Sequence, residues 1–203
     1  APPQHSLRVG LHKLLTSRNF LILLAVALTQ GMSLGVINTY LFLHLDALGA
    51  SRTLMALSLT AATIAELFVW LIAARLLRDW GMAWMLVAAM VGTIVRLFGY
   101  VWMPTPLWVL PISTLHAFTF AFFWASGVAY ADEVAPQGLS ATAQTLFSGT
   151  SMGLGQALGA LMGGFIYQQY GVLATFMVMG AIEISVLIAF VFLQQRELRT
   201  RLQ

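Results

Sequence analysis

Four ionisable side chains stand inside stretches that are otherwise apolar: Glu66, Arg96, His116 and Glu183. A charge in such a setting is costly to bury, so each is by default a site residue. The types suggest acid–base work. A desolvated carboxyl can take up a proton, an imidazole titrates near neutral pH, and a guanidinium biases both. At 1.5 Å per residue, Glu66, Arg96 and His116 lie roughly 18, 9 and 14 Å below one membrane face. That stagger permits a Glu–Arg–His cluster around a shared cavity, where protonation and solute binding would be linked. The alternative is an ion pair that only fixes helix packing. Glu183 has no motif around it and stands where it could pair with Arg96.

Neutral polar groups extend this set. Asn38 and Tyr40 lie near Gly31 and Gly35, and Trp124 follows His116 at i, i+8, close to the same helix face. Asn38 and Trp124 read equally as cavity-lining groups or as packing, and Tyr40 reads first as an interface anchor. Gly155, Gly159 and Gly163 belong to a longer series (Gly149, Gly153, Gly155, Gly159, Gly163, Gly164) and strip one helix face for close approach. That face suits either a helix that rocks against a partner or static packing. Arg75, Arg78, Asp79 and Gly81 mark one loop, and Asp132-Glu133 another. The Asp132-Glu133 pair reads first as solvated loop charge; the alternative is a charge pair with Arg75 or Arg78, or with a partner domain, that locks one conformation. There is no His-Glu-x-x-His, no phosphate loop and no acidic metal cluster. No cofactor, no metal and no enzymatic activity are expected.

The elements that hold these residues are apolar and long. Of 203 residues 60% are hydrophobic and 8% charged, against roughly 25% charged in an ordinary soluble domain. That excludes a soluble enzyme and a disordered chain. With no Cys, disulfides and thiolate metal sites are absent. The basic residues are too few and scattered for nucleic acid. A bilayer-spanning helix needs ~20 apolar residues, and six spans are predicted near 20–45, 54–74, 82–102, 107–131, 142–167 and 173–193. Residues 1–18 form a basic lead or linker, 19–194 the membrane domain and 195–203 a basic tail. Arg8, Lys13, Arg18, Arg75, Arg78, Arg196, Arg199 and Arg201 fall on one side when six spans alternate, with Arg52 alone on the other. Both termini are therefore expected in the cytoplasm. The start is no signal peptide and lacks Met, as expected of a piece of something longer. Leu77–Gly81 echoes Tyr167–Gly171, and Gly49-Ala50-Ser51 echoes Gly138-Leu139-Ser140. Three spans per copy would make two inverted three-helix repeats, an arrangement of secondary transporters. Chance similarity of helix-stop chemistry is the competing reading.

The stretches AELFVWLIAARLLRDWG (65–81), LHAFTFAFFWASGVAYADEVAPQGLSATAQTLFSG (115–149) and GQALGALMGGFIYQQYG (155–171) resemble the major facilitator superfamily. The similarity is to the C-terminal six-helix half in the lactose-permease-like branch, which includes nucleoside:proton symporters. It implies an all-α integral membrane fold, half of a twelve-helix transporter of the plasma membrane. It also implies alternating access and a small polar or aromatic solute (sugar, nucleoside or aromatic acid), with proton linkage. The partner would be a second six-helix half of the same chain, or a second copy in a homodimer. In that branch, the matching helices carry a substrate-site Glu, an Arg used in deprotonation and a His near the solute. Glu66, Arg96 and His116 stand at those places. Two departures bear on mechanism. The proton-carrying Glu three residues after the His is Thr119 here, and a Lys three residues before it is Ser113, facing Ile37 and Asn38. The lost ion pair argues against lactose. The missing carboxylate leaves open a uniporter, or a sensor or scaffold that does not transport. Ser140 replaces a basic residue common after the loop Pro.

Overall fold

A computed structural model describes the backbone of residues 4–201 and the side chains of residues 9–194. The described residues are helical almost throughout. α1 (Gln4–Thr16) is followed by α2 (Arg18–Ala47), α3 (Arg52–Trp80), α4 (Met82–Trp102) and α5 (Val109–Val134). α6 (Ser140–Ser148), a π-helical turn (Gly149–Gly155) and α7 (Gln156–Arg201) complete the chain.

Five uninterrupted helical stretches are long and apolar enough to cross a bilayer, by length and composition. The last, Ser140–Gln194, has 55 residues and room for two crossings. Gly171 divides it at φ 80°, ψ 177°, a conformation essentially reserved for glycine. A Cβ on Gly163 would lie 3.2 Å from Thr175 Cγ2, whereas a continuous helix would part these residues by roughly 18 Å. The chain therefore folds back at Gly171, and the six predicted spans are present. Spans one to four are α2 to α5; span five is α6 through residue 170, and span six begins at residue 172.

The span ends have local causes. Ser51 Oγ accepts the Leu54 N–H at 3.1 Å and starts α3. Gly81, at φ 79°, donates its N–H to Leu77 O and ends it. Gly49, Gly81, Gly138 and Gly171 are the positive-φ residues of the described chain, and they are the glycines of the two sequence echoes.

The basic lead does more than link. Residues 4–16 are helical, Leu14 is fully buried, and Gly10 approaches Leu139 beyond α5. The side chains of Arg8 and of the tail (Arg196, Arg199, Arg201) lie outside the described residues.

α2 packs on α7 and the π turn, α3 on α5, and α4 on α5 and α7. Two apolar clusters result. One, at the end of the bundle near the chain start, holds Phe20, Met90, Phe147 and Phe190; the other holds Ile37, Leu97, Val109 and Phe176. Between them lies a polar layer: Gln30 and Ser33 from α2, Thr93 and Arg96 from α4, Thr119 from α5, Ser151 from the π turn and Glu183 from α7, all buried. Apolar helix faces exclude water above and below, so this layer must satisfy its own polar groups or receive a solute.

Candidate functional site

Arg96 is the centre of the layer. It is 5% exposed, and one terminal nitrogen lies 3.2 Å from His116 Nδ1 and 3.1 Å from Thr119 Oγ1. A guanidinium can only donate, so His116 Nδ1 accepts and the ring proton sits on Nε2. Thr119 passes its own hydrogen to the His116 carbonyl at 3.0 Å. Arg96 Nε has no partner among the described residues. Among the described residues no carboxylate lies within ion-pair distance of Arg96; the ion pair present is the exposed Arg75–Asp79 contact at 3.6 Å.

Two adjoining cavities meet at Ile37, Arg96 and His116. The larger, about 230 Å³, is lined also by Asn38, Ser58, Tyr100 and Ser113. The smaller, about 30 Å³, reaches Gln30, Thr93 and Ser151. The π turn places Ser151 and Met152 in that wall, in keeping with the tendency of π turns to occur at functional sites.

Arg96, His116 and Asn38 therefore share one cavity system. Glu66 does not line it. Its Oε1 accepts from Trp70 Nε1 at 3.0 Å on the same helix in an exposed contact, although the residue as a whole is half-buried. It still follows the lining residue Ala62 at i, i+4, one turn along the same face. Trp124 is outside both cavities but linked to them by stacking. His116 stacks on Phe120 (5.4 Å) and Phe120 on Trp124 (6.0 Å), an i, i+4, i+8 ladder along α5.

Three alternatives raised by the sequence, two pairings and one anchor, take another form. Glu183 does not meet Arg96: its Oε2 accepts from Ser33 Oγ at 2.9 Å, in the packing between α2 and α7, fully buried. Asp132 pairs with neither Arg75 nor Arg78 but accepts from Ser140 Oγ across the loop, while Arg75 turns to Asp79. Tyr40 is no surface anchor; it is buried and donates to Ala160 O at 2.7 Å. The glycine face is real, and its approach is backbone to backbone. A Cβ on Gly159 would strike the Met32 carbonyl, and on Gly155 would sit 2.8 Å from Leu28 O. Gly163 instead accommodates the Tyr40 ring.

Gln30 and Tyr100 went unread in the sequence. Both are buried, and Gln30 Oε1 and Tyr100 Oη have no partner among the described residues. Tyr100 follows Arg96 at i, i+4, and Gln30 precedes Ile37 and Asn38 at i+7 and i+8. Those spacings are the signal that would have found them.

A six-span helical bundle with a polar layer at mid-depth is a transporter-like architecture, and sequence comparison decides the family. The profile of the MFS_1 like family matches residues 3–178. The chain belongs to the major facilitator superfamily. Among curated proteins it is 31% identical over 155 residues to a zebrafish (Danio rerio) protein named major facilitator superfamily domain-containing protein 6-like, covering 74% of this chain and 28% of that one. It is 23% identical to the uncharacterized transporter YwbF of Bacillus subtilis, over 89% of this chain and 45% of the relative. It is 28% identical to the maltose permease of Geobacillus stearothermophilus, over 94% and 48%. The chain spans less than half the length of these relatives. Membership of this superfamily points to transport rather than catalysis.

Proposed function

We propose that this chain is one six-helix half of a secondary active transporter, working by alternating access on a small polar or aromatic solute with proton linkage. The observation that carries the reading is the pair of cavities meeting at Arg96 and His116, at mid-depth between apolar clusters. Solute sites of such carriers lie near the membrane midplane. Arg96, His116 and Asn38 would bind the solute, Trp124 would support the ring ladder, and Glu66 at the cavity edge would take the coupling proton. The paired positive-φ glycines support two inverted three-helix repeats. A second six-helix half would close the cavities, and α3 and span five would meet it. Large apolar side chains exposed on them (Leu67, Phe68, Leu71, Leu161 and Phe165) support that face. The eight clustered Lys and Arg residues support cytoplasmic termini in a plasma membrane.

A second reading, transport without protons or no transport at all, has one observation in its favour. Thr119, where the resembling branch has its proton carrier, meets Arg96 through a hydroxyl that cannot hold a charge.

Proton flux separates the readings. The full-length protein goes into liposomes with a trapped pH dye, and nucleosides, disaccharides and aromatic acids are added in turn. The expected result is a pH change with one class, abolished by Glu66→Gln. Solute uptake without a pH change would remove the proton linkage and favour the uniporter reading. Binding without uptake would establish a sensor or scaffold.

A further inference from the structure

The lead helix α1 is held to the bundle by a narrow stripe. Ser17, extended at φ −67°, ψ 120°, is the one residue between α1 and α2. Had α1 continued the axis of α2, Gly10 would stand roughly 10 Å beyond Ser17 along that axis. Instead a Cβ on Gly10 would lie 2.8 Å from Leu139 Cδ1, at the start of α6, and Leu139 is buried. Leu14, at i+4 from Gly10, is fully buried in the apolar cluster of Phe20 and Phe190. α1 is therefore folded across the end of the bundle, where span one enters the membrane. The rest of α1 is uncovered within this chain. Leu11 and Leu15, 37% and 42% exposed, stand on the stripe beside the Gly10–Leu14 face. Arg8 shares that stripe by helical register, at i, i+3, i+7. His12, Lys13 and Thr16 are exposed on the other sides, with Val9 the single exposed apolar residue among them. Residues 1–18 carry Arg8, Lys13 and Arg18, and no Asp or Glu occurs before Asp46. An apolar edge, a polar back and cations without acids are the features of helices that rest in the lipid headgroup layer.

We propose that α1 is a membrane-surface helix that binds the anionic lipid headgroups of the leaflet at that end of the bundle. Leu11 and Leu15 enter the boundary between headgroups and acyl chains, and Arg8, Lys13 and Arg18 supply the positive charge that lipid phosphates attract. This goes beyond the transport reading and holds whether or not the chain carries a solute. It also gives the acidic loop after α5 an attachment. That loop has Asp132 and Glu133 and no Lys or Arg, and through the Gly10–Leu139 contact it shares the hold of α1 on the leaflet.

The competing occupant of the Leu11–Leu15 edge is the second half of the protein, and fluorescence quenching distinguishes the two. The full-length protein goes into nanodiscs of phosphatidylcholine, alone or mixed with phosphatidylglycerol, that also carry a lipid with a nitroxide near its headgroup. Leu11→Cys, Leu15→Cys and His12→Cys, each in a background without other cysteines, are labelled with a fluorophore. All three positions are exposed, so the label displaces no packing of this chain. The expected result is quenching several-fold stronger at Leu11 and Leu15 than at His12, and stronger with phosphatidylglycerol than without it. Arg8→Gln combined with Lys13→Gln should return it to the level in phosphatidylcholine alone. Labels at Leu11 and Leu15 that the nitroxide lipid does not quench would overturn the proposal. Quenching of those labels by aqueous iodide would then show an edge in water, and protection from both quenchers would assign the edge to the second half. Equal quenching in the two kinds of disc, or quenching unchanged by the double substitution, would overturn the recognition of anionic headgroups.

Discussion

The Ser33–Glu183 contact shows how little support a buried acid in this chain receives. Glu183 is fully buried, one oxygen accepts from Ser33, and the other has no partner among the described residues. Removing the hydroxyl leaves the whole carboxyl unsatisfied, at a cost of ~1–3 kcal/mol. Ser33→Ala should therefore lower the Tm of the full-length protein clearly. Glu183→Met removes the demand instead, and the freed Ser33 can turn to a carbonyl of its own helix. In the Glu183→Met background, Ser33→Ala should have little further effect, and a full-sized loss there would show that the hydroxyl serves something other than Glu183. Glu66 behaves differently. Gln keeps the acceptor for Trp70, so Glu66→Gln should leave Tm unchanged while removing any proton response; a large drop in Tm would place the charge itself in the packing. Arg96 and His116 were legible in the sequence because an isolated charge in an apolar stretch has few structural uses. Tyr100 and Gln30 were not, since Tyr and Gln occur for many reasons and only their unpartnered atoms set them apart. The partner of Glu183 was also illegible, because Ser33 lies 150 positions away and carries no charge.

At the scale of elements, the glycine series of span five divides into two kinds that sequence spacing does not separate. Gly159 touches the α2 backbone at Met32, while Gly153 has open space where a Cβ would stand. Gly159→Ala must push α2 and span five apart, an overpacking change of ~1–3 kcal/mol. Gly153→Ala meets nothing in this chain and should be neutral or slightly stabilising, since Gly is a poorer helix former than Ala by ~0.5–1 kcal/mol. Thermal unfolding of the two variants checks both, and equal losses would mean that Gly153 has a contact in the assembled protein. The six spans were readable because bilayer thickness sets a length that apolar runs must meet. The π turn was not. A run of glycines announces close approach, but whether the backbone widens to bring Ser151 into a cavity depends on what α2 and α5 place opposite. The helix in the basic lead was missed for a related reason: it opens on polar Gln4, His5 and Ser6, and its buried anchor, Leu14, acquires meaning only against the bundle.

For the whole molecule, the proposed orientation rests on charge, and since this chain has no Cys, single cysteines placed in it can test that orientation. Eight of the ten Lys and Arg residues fall on one side of six alternating spans, and such loops remain in the cytoplasm. Ser51 starts α3 and Thr105 precedes the short turn into α5, so both mark loops on the opposite side. Gln137, in the loop after α5, and Asp79, at the end of α3, share the side of the chain start. All four are exposed. Single cysteines at Ser51 and Thr105 should react in intact cells with a maleimide that cannot cross membranes. Cysteines at Gln137 and Asp79 should react only after the membrane is opened. The Gln137 loop is the sharper case, because it carries Asp132 and Glu133 and no Lys or Arg. If the orientation were set loop by loop, that loop would be the first to escape. If it is set by the summed charge of the other cytoplasmic segments, the packing of α5 against α3 and α4 holds the loop inside with them. Labelling of Gln137→Cys from outside, with Ser51→Cys also labelled, would show that α5 does not cross the membrane.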